Sequence, residues 1–359
     1  MPKEKSFSPY TFKYLEIFLS WLFKYSSRCY QLKTEKQVFK NPCKEFFRFA
    51  NLYRFRNASK GIICRVSSKQ KDIDLTCDIL TTIYEKIESS ELCELATAEV
   101  LAKVLAYRNM KKGQKVPIPT LDDNGQMTLI IYTVDTVINL WNNVCAFGLI
   151  STDIAKGAPI LLYRGTDFSI LSEGGRASII CDLDPKGPGR ALFEHGESEI
   201  KKWLKIASLN KKKARMIGHS LGATFVAYTL INDYDYISTK SYEISYAFNL
   251  PGVSEDLINK WNSIPKEKTP TYKGFVSRGD LVSKFGLLFG DIHEISLNKP
   301  LTPITAHEIL FFAQPLLYLY EVDLNKENIS YSRKFYSNIH KQTSSLIYEF
   351  GLKFLFPRK

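Results

Sequence analysis

The residues best suited to chemistry form a glycine-flanked serine, Gly218-His219-Ser220-Leu221-Gly222. An apolar run precedes this pentapeptide, and a segment of helix-compatible residues follows it. A strand, a sharp turn and a helix in this order are typical of a nucleophile elbow, in which the turn exposes the serine hydroxyl at the start of the helix. The five-residue motif alone is a weak signal, but its context predicts Ser220 as a nucleophile.

A second segment upstream carries the groups that such a nucleophile needs. Pro159-Ile-Leu-Leu-Tyr163 resembles a short strand, and it leads directly into Arg164-Gly165-Thr166-Asp167. Acyl transfer requires two N–H donors at the oxyanion, one from the residue after the nucleophile and one from a loop at the end of another strand. The pattern therefore predicts an oxyanion hole formed by Leu221 and Thr166, to which the Thr166 hydroxyl could add a bond.

The base and its orienting carboxylate are expected downstream of Ser220, in the chain order serine, aspartate, histidine. Asp280 follows an apparent strand, so its carboxylate is expected at the edge of the sheet where the strands end. His307 lies at a loop-to-helix junction in an apolar segment and is preferred as the base over His293, an apparent strand residue. Three other histidines are expected to be structural: His195, His219 and His340.

Four segments in this order resemble the class 3 lipase family: Tyr163-Arg-Gly-Thr166, Gly218-His-Ser-Leu-Gly222, Ala247-Phe-Asn-Leu-Pro-Gly252 and Asp280-Leu-Val282. The resemblance covers about residues 125–315. It implies an oxyanion hole, a nucleophile, a Gly-x-Pro loop and a triad aspartate at these segments, and it implies acylglycerol or phospholipid esters as substrates. The chain departs from the family pattern at Asn249, where glycine is usual, and at Ser283-Lys-Phe-Gly286, which replaces a proline-bearing segment.

The elements that must position these residues alternate between strand and helix, which predicts an α/β-hydrolase-like fold with a mainly parallel sheet covered on both faces. The expected strands are Met127–Tyr132, Pro159–Tyr163, Ala177–Asp182, Ala214–Gly218, Glu243–Phe248, Tyr272–Val276 and Ile292–Leu297. Apolar residues at helical spacing between Val134 and Gly148 predict a helix there. Helices are also expected at Ala191–Leu209, Leu221–Ile231 and Glu255–Trp261, and after Thr305.

Composition divides the chain into three expected regions. Residues 1–115 form a basic, aromatic and mostly helical region, which includes a helical pair over about residues 75–105 and ends in the linker-like stretch Lys111–Pro119. Residues 120–325 form the catalytic domain, and residues 326–359 form a C-terminal helix and a basic tail.

The formal charge of +12 belongs almost entirely to the N-terminal segment. Residues 1–70 contain 15 Lys/Arg against 4 Asp/Glu, which leaves 34 against 33 in the rest of the chain. Two interpretations remain open, a solvated basic face and attachment to an anionic membrane surface, where basic and aromatic side chains are favoured. Nucleic-acid binding is the least favoured, because no DNA- or RNA-binding module is recognisable.

The cysteines, the cofactor motifs and the targeting segments restrict which cofactors and which cellular compartment are expected. The seven cysteines contain no C-x-x-C pair, and their spacing favours buried thiols in a reducing compartment. No metal site, nucleotide-binding loop or other cofactor is expected, and oligomeric state is not predicted. Without a convincing signal peptide or transmembrane segment, a cytoplasmic or peripheral-membrane location is favoured. Two functions are considered: a serine hydrolase of lipid acyl esters, and an inactive hydrolase-fold protein that serves as a membrane-associated binding or scaffold module.

Overall fold

The described residues form a ten-stranded mixed sheet with helices on both faces, an α/β architecture. The computed structural model describes residues 32–40, 63–122, 124–141, 144–153, 156–167, 182, 184, 186–209, 212–338 and 340. The strands are β1 (Leu32–Lys40), β2 (Lys115–Leu121), β3 (Met127–Trp141), β4 (Val144–Ser151), β5 (Ile160–Tyr163), β6 (Arg215–His219), β7 (Ser245–Phe248), β8 (Tyr272–Ser277), β9 (Asp291–Ser296) and β10 (Leu316–Val322).

The centre of the sheet is parallel and its flanks are antiparallel. The strand order is β1-β10-β9-β8-β7-β6-β5-β4-β3-β2, and the five strands from β5 to β9 pair in parallel. The pairs from β2 to β5 on one flank, and from β9 to β1 on the other, are antiparallel. Because parallel strands end at one edge, the loops after β5, β6 and β8 meet there.

Two helical layers cover the sheet. The helices are α1 (Gln70–Lys86), α2 (Ser90–Lys103), α3 (Arg190–Ser208), α4 (Leu221–Asn232), α5 (Glu255–Asn262), α6 (Pro303–Glu308) and α7 (Leu324–Asn328). One apolar cluster joins α1 and α2 to one face of the sheet, and a second joins α3, α4 and α5 to the other. Strand β5 shows why both layers are needed: Ile160 and Leu162 belong to the first cluster, and Leu161 and Tyr163 to the second.

The helix predicted between Val134 and Gly148 is wrong, because this segment forms the β3–β4 hairpin. The pairing shifts register between Val134 and Thr136, which marks a bulge. Val134 packs in the first apolar cluster, whereas Ile138 packs in the second, so the strand changes the face to which its apolar side chains point. That change spaces apolar residues three to four apart, which imitates a helical pattern.

Where the structure describes the predicted N-terminal region, residues 1–115, this region packs together with the sheet. β1 is a strand paired with β10, and α1 and α2 share one core with the sheet. The predicted linker Lys111–Pro119 contains much of β2. Pro117 and Pro119 fit there because β2 lies at the edge of the sheet, where alternate N–H groups have no partner strand.

The predicted strand Met127–Tyr132 is correct at its start but continues to Trp141. Most other predicted elements agree with the structure to within a few residues. The exceptions are one strand and the segment near the C-terminus. The segment after Thr305 completes only the short α6 and then forms β10. The predicted strand Ala177–Asp182 lies outside the described residues except for Asp182, as does the tail beyond residue 340. No helix in the described part of the chain has both the length and the apolarity needed to cross a membrane.

Candidate active site

Ser220 occupies a strained turn between β6 and α4. Its φ of 57° and ψ of −126° form a combination that non-glycine residues rarely adopt. The turn is held by a bond from Ser220 N–H to the Phe248 carbonyl, at 3.0 Å, and by bonds from the α4 amides of Ala223 and Thr224 to the Ser220 carbonyl. The conformation aims the serine side chain away from the sheet at the start of the helix.

The two glycines of the pentapeptide are required by close backbone packing. A Cβ atom at Gly218 would lie 2.3 Å from the Gly222 carbonyl oxygen, and one at Gly222 would lie 2.7 Å from the Tyr163 carbonyl oxygen. Backbone atoms cannot move aside as a flexible side chain can, so these positions exclude a larger residue. The second contact brings the start of α4 against the end of β5.

Ser220, His307 and Asp280 lie in a hydrogen-bonded line. His307 Nε2 is 2.9 Å from Ser220 Oγ, and His307 Nδ1 is 3.1 Å from Asp280 Oδ2. All three residues are buried, at 3%, 4% and 2% exposure respectively. A carboxylate only accepts, so His307 Nδ1 carries the hydrogen and Nε2 of the neutral ring accepts the serine hydroxyl. The structure thus brings together the three residues that the sequence predicts as a triad.

Local structure explains how the aspartate and histidine reach the serine. Asp280 follows β8, after a turn in which Gly279 has a φ of 92°. His307 lies in α6, which begins with Pro303 and is capped by Thr302, whose hydroxyl accepts from Thr305 N–H at 3.3 Å. The cap and the proline determine where α6 starts and therefore where the His307 imidazole points.

Asp280 is surrounded by further donors. Its Oδ2 accepts from Asn249 Nδ2 at 2.8 Å and from Ser283 Oγ at 2.6 Å, and its Oδ1 accepts from Val282 N–H at 2.9 Å. Burial acts to raise the pKa of Asp280, but His307, Ser283 and Asn249 outweigh it, so the pKa lies below its ordinary value. The Asp280 carboxylate is therefore ionised at neutral pH.

The predicted oxyanion residues border Ser220. Leu221 is the first residue of α4, so its N–H has no acceptor within the helix. A Cβ atom at Gly165 would lie 3.4 Å from Ser220 Cβ, so the loop that carries Thr166 runs along the nucleophile. The Thr166 hydroxyl donates to Asp182 Oδ2 at 2.7 Å, which directs its hydrogen to that carboxylate. The backbone amides of Leu221 and Thr166 therefore remain the candidate oxyanion donors.

Asp182 is a titratable neighbour of this site that sequence reasoning missed. Burial raises the pKa of Asp182 to about 7, although the bond from Thr166 and the charge of His307 act to lower it. His340 Nε2 bonds to the Asp182 carbonyl at 3.0 Å, so the donor on that ring is Nε2. No spacing in the sequence indicates this carboxylate, because it meets Thr166 only through the fold.

His219 contributes more than packing. Its Nε2 lies 2.8 Å from the His307 carbonyl oxygen, and its Nδ1 lies 3.4 Å from the Tyr107 hydroxyl. Burial lowers the pKa of His219 well below its ordinary value, and the neighbouring His307 lowers it further. The neutral ring must therefore donate through Nε2, and it accepts through Nδ1. His219 thus ties the backbone of the predicted base to the layer that contains Tyr107.

A buried ion pair in α2 holds the chain just after α6. Lys103 Nζ donates to Glu99 Oε1 at 3.0 Å and to the Ile309 carbonyl at 2.8 Å. The Glu99 carboxylate accepts from the amides of Phe311 and Phe312, each at 2.9 Å. Glu99 and Lys103 are spaced like a solvent-exposed helix pair, so the sequence does not indicate that they fix the segment following His307.

The other histidines lie away from this hydrogen-bonded line. His293 lies in β9, where its Nε2 is 2.9 Å from Asp291 Oδ1, and its ring stacks on Phe275. His195 lies in α3, as predicted.

Comparison with known proteins adds one distant similarity. No protein-family model matches the chain, and no curated protein sequence matches it. A solved structure of a lipase propeptide complex from Rhizomucor miehei is 15% identical and covers 56% of this chain and 69% of its own, with a TM-score of 0.30. A TM-score of this size does not establish a shared fold.

Proposed function

We propose that this protein is a serine ester hydrolase of the α/β-hydrolase type, and that its substrates are lipid acyl esters of the lipase or phospholipase kind. The observation that carries the proposal is the line from Ser220 Oγ through His307 to Asp280, with distances of 2.9 and 3.1 Å, at the strained start of α4. Nucleophile, base and orienting carboxylate in this arrangement are recognised by geometry and role.

In the acylation step, Ser220 Oγ attacks the acyl carbonyl carbon while its proton passes to His307 Nε2. Asp280 stabilises the resulting imidazolium and keeps Nδ1 protonated throughout. Negative charge develops on the carbonyl oxygen, where the amides of Leu221 and Thr166 can receive it. Collapse of the tetrahedral intermediate breaks the ester bond, and His307 returns the proton to the leaving alkoxide.

In the deacylation step, water attacks the acyl-serine and gives its proton to His307 Nε2. A second tetrahedral intermediate forms at the same oxyanion donors and collapses to the free acid, and the proton returns to Ser220. The resting hydrogen bonds of the triad are restored without any change in Asp280.

The proposed substrate class depends on the resemblance to class 3 lipases, which includes the Tyr163–Thr166 and Asp280–Val282 segments beside the pentapeptide. The basic N-terminal segment supports the same class, because 15 Lys/Arg interspersed with aromatics suit an anionic lipid surface. We therefore include attachment to such a surface in the proposal, with the site brought to its substrate.

A fluorophosphonate probe tests the proposed nucleophile. We expect the wild type to be labelled and Ser220→Ala to remain unlabelled, while Ser263→Ala, which alters an exposed serine at the end of α5, is labelled like the wild type. In ester hydrolysis, His307→Ala and Asp280→Ala should lower turnover by roughly 10³- to 10⁶-fold, and His293→Ala should not.

Three outcomes of these experiments would contradict parts of the proposal. Absence of labelling in the folded wild type would favour a binding or scaffold protein. Loss of turnover in His293→Ala with retention in His307→Ala would assign the base to β9 instead. Hydrolysis of short soluble esters but of no acylglycerol or phospholipid would reject the lipid substrate class.

A further inference from the structure

Three side-chain donors converge on a single oxygen of the aspartate. Asp280 Oδ2 lies 3.1 Å from His307 Nδ1, 2.8 Å from Asn249 Nδ2 and 2.6 Å from Ser283 Oγ. Only the first of these contacts is required by the mechanism proposed above. The other two come from the two places where the chain departs from the class 3 lipase pattern, one normally glycine and the other a proline-bearing segment. Glycine has no side-chain donor, so the pattern residue at position 249 could not make the bond that Asn249 makes.

Asn249 meets a backbone requirement and adds a donor. Its φ is 53°, in the left-handed region that glycine and asparagine tolerate best, and its N–H bonds to the Phe275 carbonyl at 2.7 Å. Its side-chain Nδ2 lies 2.7 Å from Ser277 Oγ, 2.8 Å from Asp280 Oδ2 and 3.4 Å from the Ala306 carbonyl. The carboxylate and the carbonyl oxygens only accept, so the NH₂ group faces them.

Ser283 is held in place from a different direction. It lies in the 3₁₀ turn Val282–Lys284 and is fully buried. Its carbonyl accepts from Arg333 Nη2 at 3.0 Å, and Arg333 is itself paired with Glu327 at 3.1 Å. The backbone that carries the Ser283 hydroxyl is therefore held in place, and the bond from this hydroxyl to Asp280 does not depend on Asn249.

We propose that Asn249 and Ser283 are positioning residues that hold Asp280 Oδ2 against His307 Nδ1 and share the charge of that oxygen. This inference rests on the proposed function and deepens it, because it assigns roles to two residues outside the triad. Two supports from different loops keep the carboxylate from rotating away from the imidazole. By occupying lone pairs of Oδ2, they also reduce the attraction that Asp280 exerts on the imidazolium.

The test compares Asn249→Gly, Ser283→Ala and the double variant in ester hydrolysis. Asn249→Gly keeps the backbone conformation allowed and removes the donor. We expect kcat to fall about tenfold in each single variant with KM within about twofold. Without these donors, more of the Asp280 charge acts on His307 and stabilises its imidazolium form, which cannot act as a base. The acid limb of the kcat/KM profile should therefore move to higher pH.

A matched control separates this role from mere folding. Ser245→Ala removes another fully buried hydroxyl, whose oxygen accepts from Met216 N–H at 3.0 Å in the adjacent strand. It should leave the acid limb in place even if the protein loses stability. An acid limb that stays unmoved in the double variant would overturn the proposal.

A second readout does not need catalysis and so separates failure of this inference from failure of the proposed function. The His307 Nδ1–H proton, assigned by its absence in His307→Ala, should resonate further downfield in the double variant, because its bond to Asp280 no longer competes with two others. An unchanged resonance would reject the positioning role whether or not the probe labels Ser220. A shifted resonance in a protein that the probe does not label would keep the positioning role and reject the hydrolase.

Discussion

Asp280 and Asp182 are both carboxylates of the candidate site, but their surroundings shift their pKa values in opposite directions. Three donors on one oxygen keep the pKa of Asp280 below its ordinary value. Asp182 has a bond from Thr166, and burial raises its pKa to about 7. When two groups of the same type in one site have different pKa values, they can take different roles. Asp280 is suited to remain charged, and Asp182 to titrate near neutral pH.

The raised pKa of Asp182 makes stability depend on pH. Between about pH 4 and about pH 7 the folded protein keeps a proton on Asp182 that the unfolded chain releases, so the free energy of unfolding falls as pH rises through this range. Asp182→Asn lacks this titration, while its amide oxygen can still accept from Thr166. Thermal unfolding midpoints should therefore drop for the wild type relative to the variant as pH increases from about 4 to about 7, and the difference should level off above that.

The same measurement can refute the assignment. Parallel curves for the two proteins across the range would mean that Asp182 ionises at the same pH in the folded and unfolded chains. The Thr166–Asp182 bond would then lie in a more solvated place than the structure indicates.

Helix α2 acts on the site without contacting Ser220. Its buried pair, Glu99 and Lys103, binds three backbone groups just after α6. Removing one member of a buried pair leaves the other charged and unpaired in a low-dielectric interior, which costs far more than losing a surface pair. The position of His307 along its segment therefore depends on a helix about two hundred residues earlier in the chain.

Lys103→Met tests this dependence. The variant fills the same space but leaves Glu99 without its cation, so we expect a loss of about 3–5 kcal/mol in the free energy of unfolding. Lys156→Met breaks an exposed i,i+3 pair with Asp153, at 3.4 Å, and should change stability by less than about 0.5 kcal/mol. Denaturant unfolding measures both, and equal effects would show that the α2 pair is not a buried support.

Helices and strands with a regular apolar pattern were predictable, and the misassigned segments have identifiable causes. In β3 the bulge near Val134 changes the face of the strand, which no local propensity indicates. In β2, two prolines favour a linker until the strand is placed at the edge of the sheet. Both errors concern the antiparallel flank, where pairing between neighbouring strands decides the structure.

The molecule as a whole has a near-neutral body and a basic N-terminal segment. β1 begins at Leu32 on one flank of the sheet, so a deletion of residues 1–31 keeps every strand that the structure describes. Residues 1–31 contain five Lys/Arg and two Asp/Glu, interspersed with aromatics. A membrane attachment that depends on this segment should therefore be separable from the rest of the molecule.

Deletion of residues 1–31 tests the proposed attachment. We expect the full chain to co-sediment with phosphatidylglycerol vesicles at low salt and to be released at high salt, because each basic residue near the surface contributes about 1 kcal/mol. The truncated protein should bind at least about tenfold more weakly and still hydrolyse a soluble ester at the full rate. Binding that is unaffected by the truncation, or by salt, would reject a role for residues 1–31 in this attachment.

The candidate site was predictable where its chemistry is encoded locally. The strand, turn and helix around Ser220 and the strand end before Asp280 are contiguous in sequence, so their periodicity and glycines indicate them directly. The character of its segment and the chain order distinguish His307 from the other histidines. Asp182, and the bonds from Asn249 and Ser283 to the aspartate, have no such local signal, because those contacts join residues from different loops.

By itself the sequence determined the short-range features, namely the alternation of strand and helix, the turn at Ser220 and the order of the candidate triad. Only the tertiary structure decided which distant groups meet: the donors that share Asp280 Oδ2, the carboxylate at Thr166 and the α2 ion pair behind His307. The physical reason is that backbone periodicity reflects a few neighbouring residues. Burial and hydrogen-bond partners, in contrast, depend on how strands and helices from the whole chain pack together.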